Sequence, residues 1–242
     1  MKRAERQRLK QNELGELTRQ AQEVFTERKR DIAWIVGIVV AVSAIALGYW
    51  AWQQRTHDAA QKLLADAMVV QEARIGPPNA ATGATGLTFP TERERAQAAL
   101  TKFKAAADAY PNTDEGLFAR YQEASMEVIL GNPAEAAKAY QFVIDHAGSR
   151  LIGQTARLGL AAAHARNGQF DQAITAYKEL AQRKDGGLPI DGILMELGRV
   201  YRDAGRPSDA QQTFNRLIEE FPESPFNADA KRELDALKKP AA

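Results

Sequence analysis

The sequence predicts an all-α protein: one N-terminal transmembrane helix followed by an α-solenoid of helical hairpins. Three observations predict it. Residues 32–52 form a run of 21 residues with no charged side chain, and all three tryptophans lie at its two ends. Further along, glycines, alanines and aromatics return every 37 residues. Between those markers, apolar residues recur at three- and four-residue steps, the period of an amphipathic helix.

As a helix rising 1.5 Å per residue, the 32–52 run reaches about 31 Å, one bilayer core. Trp34 stands at one end, with Tyr49, Trp50 and Trp52 at the other. Such rings are apolar bodies with a polar tip, so they collect at membrane–water interfaces. A cleaved signal peptide would have a shorter apolar core behind a brief basic start. Here 31 mostly polar residues come first, so the segment is expected to stay as a signal anchor.

Residues 1–31 carry nine Lys/Arg against six acids, and Arg28, Lys29 and Arg30 abut the span. By the positive-inside rule this basic tail stays in the cytoplasm and residues 53–242 are exported. Leu14, Leu17, Ala21, Val24 and Phe25 recur at helical spacing in the tail. It is expected either to lie along anionic membrane lipids or to remain a solvated charge run that sets topology. The rest of the chain keeps 23 basic and 25 acidic residues out of totals of 32 and 31, a balance that calls for no nucleic-acid partner. With no cysteine, neither a disulfide framework nor thiolate chemistry is available.

Residues 53–110 read as an irregular first hairpin. Ala60, Leu63, Leu64, Ala67 and Met68 form one apolar stripe, and the partner helix spans Glu92–Ala109. Between them, prolines and glycines mark 75–91 as a flexible loop without regular structure; its 79–85 stretch has little to anchor a ligand. Residues 111–224 hold three repeats. Gly131, Gly168 and Gly205 are in register, as are Ala136, Ala173 and Ala210, then Tyr140, Tyr177 and Phe214, then Val143, Leu180 and Leu217. Each glycine ends a first helix, and Asn132, Pro133 and Glu135 have the residue types that start the second. One hairpin cannot bury its apolar face alone, so the units stack. Residues 225–242 form a charged capping helix and tail.

These columns resemble the tetratricopeptide repeat. Its pattern is best met by Leu197-Gly198, Tyr201, Ala210, Phe214 and Pro222. The middle unit has Leu160-Ala161 and His164 in the first-helix signature, and the unit from Leu117 has Glu123 and Glu127. The resemblance implies a concave wall built from the first helices: Phe118, Tyr121, Ser125 and Val128, then Leu158, Ala162 and Arg166, then Met195, Arg199 and Arg202. Such a wall would run from an apolar, aromatic end to a basic end and take a peptide with apolar anchors followed by an acidic group. Packing between units is the competing role for Phe118 and Tyr121, and an ordinary solvated face for the arginines.

Catalytic chemistry is not expected. His57, His146 and His164 have no ligand-like spacing, and neither a phosphate loop nor a Gly-x-Ser-x-Gly elbow is present. No catalytic residue, metal, cofactor or small-molecule substrate is therefore assigned. The order of parts, anchor then exported solenoid, resembles the bacterial inner-membrane family of ancillary SecYEG translocon subunits. That resemblance implies translocon subunits and a membrane-anchored periplasmic chaperone as protein partners. The alternative is a structural scaffold or adaptor among cell-envelope or cell-division proteins.

Overall fold

The computed structural model describes residues 29–76, 86–183 and 187–238, with side chains from Ala33 onward. The tail up to residue 28, with Arg28 and its apolar stripe, lies outside the described residues. So do the middle of the 75–91 loop and the last four residues. The chain forms two compact units, Met1–Arg55 and Thr56–Ala242.

In the first unit the backbone is helical from Lys29, the start of α1 (Lys29–Gln71), and includes Lys29 and Arg30 in its first turn. Every described side chain from 33 to 55 is exposed. Trp34 is 74% exposed, and Tyr49 and Trp52 stand 6.0 Å apart between ring centroids at the other end of the span. Contiguous apolar surface on this scale marks an interaction or membrane face. Helix α1 is long and apolar enough to cross a membrane.

The second unit takes in the last part of α1 and then α2 (Glu92–Ala109), α3 (Asp114–Leu130), α4 (Pro133–Ala147), α5 (Leu151–Arg166), α6 (Phe170–Gln182), α7 (Ile190–Asp203), α8 (Pro207–Glu220) and α9 (Asn227–Lys238). Three hairpins, α3–α4, α5–α6 and α7–α8, stack in order, and α9 covers the last. Gly131, Gly168 and Gly205 all have φ between 71° and 85°, the left-handed turn that lets each second helix double back on its first. The alanine column is fully buried, and so is the aromatic four residues on: Tyr140, Tyr177 and Phe214 lie inside with Val143, Leu180 and Leu217. Burying each such large side chain contributes about 1.5–3 kcal/mol.

Two local expectations are corrected. The ends of the 75–91 loop are not irregular. Arg74–Ile75 (β1) and Thr88–Phe89 (β2) form a two-residue parallel ladder, extended by Gly76 N donating to Phe89 O at 2.9 Å. Asn132 does not cap α4 with its side chain, which donates instead to Glu127 at 2.8 Å, while its carbonyl accepts from Glu135 and Ala136. Thr91 and Thr113 do cap, accepting from Glu94 N and Gly116 N at 3.2 and 3.0 Å.

Candidate protein-binding wall

The residues expected to form the wall lie on the first helices α3, α5 and α7, and Tyr140 of α4 and Tyr177 of α6 are buried in the core. On α3, Phe118, Tyr121, Ser125 and Val128 are half-buried. Tyr121 stacks with Phe118 at 6.4 Å and tilts against Tyr140 of α4 at 5.5 Å. Ser125 Oγ and Tyr140 Oη share a hydrogen bond of 3.2 Å. Burial pushes both phenols above their ordinary range, so they are neutral hydrogen-bonding groups at physiological pH. These α3 residues therefore combine packing between helices with partial exposure.

On α5, Leu158 and Ala162 are half-buried and Arg166 is exposed. Gly159 lies directly under the Tyr140 ring, where a Cβ would overlap it, so the α4 aromatic closes tightly on the next unit. The Arg166 guanidinium acts electrostatically on both Tyr140 and Tyr177. Among the described residues no carboxylate lies within ion-pair distance of it.

The α7 end differs from its expectation. Met195 is 1% exposed and belongs to the core shared with Tyr177 and Leu180, so it offers no surface to a partner. Arg199 bonds Glu196 at 2.7 Å and lies 3.6 Å from Glu233 of α9, and Arg202 reaches Glu233 at 2.5 Å and Asp203 at 2.8 Å. Donating a hydrogen bond to the Glu233 carboxylate raises the Arg202 pKa further. Capping helix α9 thus neutralises the expected basic end, and uncompensated positive charge on the wall sits at Arg166, in its middle. Sequence reasoning missed Glu233, for which the four-residue spacing of Asp229 and Glu233 was the available signal.

The histidines have separate local partners: His57 Nδ1 faces Glu115 Oε2 at 3.0 Å, His146 stacks on Phe142 at 3.9 Å, and His164 faces Gln169 at 2.7 Å. Among the described residues no three or more His, Asp or Glu side chains gather as metal ligands would.

The repeat columns, the left-handed glycines and the stacked hairpins all point one way, and the sequence model described as a tetratricopeptide repeat-like domain matches residues 29–239. The chain belongs to the tetratricopeptide repeat-like family. That match begins where α1 begins, so it takes in the apolar span as well as the repeats. Among solved structures, a kinesin light chain-like protein with nearly identical TPR-like repeats from Podosopora anserina is similar. Its TM-score is 0.53 at 14% identity, covering 76% of this chain and 84% of that one, and a point variant of the same protein gives the same values. BtubC (BKLC) from P. vanneervenii has a TM-score of 0.49 at 15% identity, over 76% of this chain and 82% of that one. No curated protein sequence matches. A tetratricopeptide repeat-like fold supports a role in protein–protein interaction, through surfaces that stacked hairpins present.

Proposed function

We propose that this protein is a non-catalytic interaction module anchored in a bacterial inner membrane, with its N-terminus cytoplasmic and its repeats periplasmic. It works beside the protein-export translocon and passes emerging chains to periplasmic chaperones. One observation carries the anchored part of this proposal: a fully exposed apolar helix, bordered by Trp34 at one end and Tyr49, Trp50 and Trp52 at the other, in the same chain as a repeat unit built for protein contacts. The basic residues Arg28, Lys29 and Arg30 on one flank support the orientation, since cytoplasmic flanks are enriched in Lys and Arg. The wall is expected to receive an apolar segment along Tyr121, Ser125 and Leu158, with an acidic group at Arg166. Arg199 and Arg202 are already occupied by Glu233.

Photocrosslinking in native membranes tests this, with the probe at Ser125 and the full chain either wild type or Arg166→Glu. Adducts with translocon subunits or nascent chains are expected from the wild type and are reduced at least about tenfold in the variant. Melting should move by no more than about 0.5 kcal/mol, as for other exposed substitutions. Adducts confined to cell-division or cell-wall proteins would replace the export role with that of an envelope scaffold.

A further inference from the structure

Each second helix leaves a gap before the next, and the three gaps are floored by α3, α5 and α7 in turn. In the first, ions fill the space: Glu123 of α3 meets Arg120 at 2.7 Å and Lys104 of α2 at 3.7 Å, and Arg120 lies 5.1 Å over the Phe142 ring. The third is a hollow of about 750 Å³ between α6 and α8. Its rim is polar, with Arg206 paired to Asp209 and Arg216 to Glu220, each at 2.8 Å, as suits a water-filled cleft.

The middle gap is different. Between α4 and α6 lie three adjoining hollows of about 230, 380 and 500 Å³ that all share Leu160 of α5 as their floor. Ala176 and Phe142 add apolar wall, and His164 lies where the last unit has Tyr201, so a smaller ring leaves the space open. Along α6, Asp171, Thr175, Glu179 and Arg183 stand four residues apart and form one row beside this floor, a length of about 18 Å. The Asp171 and Glu179 carboxylates have no hydrogen-bond or ion-pair partner among the described residues. Arg183 closes this row one turn beyond Glu179, and with Arg157 of α5 it borders the smallest hollow; the two guanidiniums donate only to neutral acceptors, Gln154 Oε1 at 2.8 Å and Gly148 O at 3.1 Å, while on the α4 side Lys138 is paired with Glu135 and Asp145 accepts from Gln141.

From this we infer a second docking surface, separate from the first-helix wall: the α4–α6 trough binds a short amphipathic segment of a partner protein. Its aliphatic side chains lie on Leu160 and Ala176, Lys or Arg along its first two turns meets Asp171 and Glu179, and a carboxylate on its last turn meets Arg157 and Arg183. Charge complementarity selects this occupant. A purely apolar or uniformly charged segment would leave one pair of charges without a counterpart while displacing their water. The trough's length suits about three helical turns.

The test uses the full chain in nanodiscs and two fluorescein-labelled peptides, with binding read by anisotropy. Both have leucines at helical spacing; one has three lysines at its first end and three glutamates at its second, and the other has glutamates at both ends. The bipolar peptide is expected to bind. Asp171→Lys with Glu179→Lys should weaken it at least about tenfold and strengthen the all-glutamate peptide. Thr175→Trp, an exposed change that fills the trough, should abolish both, while Arg166→Glu on the other wall changes neither. Melting of each variant checks that it is folded. Equal binding to the wild type and the folded charge variant would overturn the assignment, as would retention in folded Thr175→Trp or no binding of the bipolar peptide.

Discussion

Where the last repeat has Leu197 and Tyr201, the first has Glu123 and Glu127 at the same two positions, and the two units solve the burial of that column with opposite materials. Leu197 and Tyr201 are buried, with the Arg206 guanidinium stacked 5.0 Å over the tyrosine ring. Glu123 is equally buried but charged, held by Arg120 and Lys104. A repeat column therefore specifies that a position is filled, and the neighbouring helix decides with what. The ionic solution carries a desolvation cost that the apolar one avoids.

The largest expected effect comes from emptying the apolar version. Phe214 is 0% exposed and its ring covers Gly198, so Phe214→Ala should cost about 3–5 kcal/mol, read as a lower denaturant midpoint by circular dichroism. A loss under 1 kcal/mol would mean that the last unit collapses around the void. Converting the first unit to apolar material should do the reverse. Arg120→Leu combined with Glu123→Leu removes the buried ions and is expected to be neutral or to stabilise by about 1–4 kcal/mol. A clear destabilisation would show the ion network to be the better filling.

Two acids on α3 sharpen the same contrast through pH. Burial raises the Glu123 carboxyl above its usual range by more than Arg120 and Lys104 lower it. The folded chain then holds that proton to higher pH than the unfolded one, so this contribution is present below the ordinary glutamate range and lost as pH rises through the folded value. Burial also raises Glu115, but its backbone amide, His57 and Gln61 together lower it by more. Its contribution is present above the ordinary range and lost as pH falls through the folded value. From pH 7 to pH 4, wild type should gain stability relative to Glu123→Gln and lose it relative to Glu115→Gln. Parallel slopes for the two variants would refute the opposed environments. The smallest effect concerns helix starts: Thr113→Ala should cost about 1 kcal/mol, and Asn132→Ala only a few tenths because its side chain caps nothing. Equal losses in the two melts would contradict that assignment.

The columns at Gly131, Ala136 and Tyr140 could be read in the sequence because each records a repeated demand: a left-handed turn, a close approach and a filled turn of helix. The wall could be read only in part. Met195 sits on the helix face that the family pattern assigns to the groove, yet it is buried in the core cluster that residues of α5 to α9 share. Arg199 and Arg202 are half-buried cations, and beside Glu196 and Asp203 of their own helix their counter-charges lie on α9, 30 or more residues further on, in a helix that looks merely solvated. The β1–β2 ladder was invisible for another reason: two residues per strand leave no alternation to detect.

All three tryptophans of the chain lie in the exposed apolar helix, and the repeats contain tyrosine and phenylalanine only. The protein is thus optically divided. Indole emission excited near 295 nm originates in that helix alone, and quenching by brominated acyl chains in lipid vesicles tests the proposed anchoring directly. Unfolding of the hairpins passes without a direct tryptophan signal and is followed by helical ellipticity. A single tryptophan placed at Phe142, in a chain whose own three are changed to phenylalanine, would give the α4–α6 trough an emission of its own.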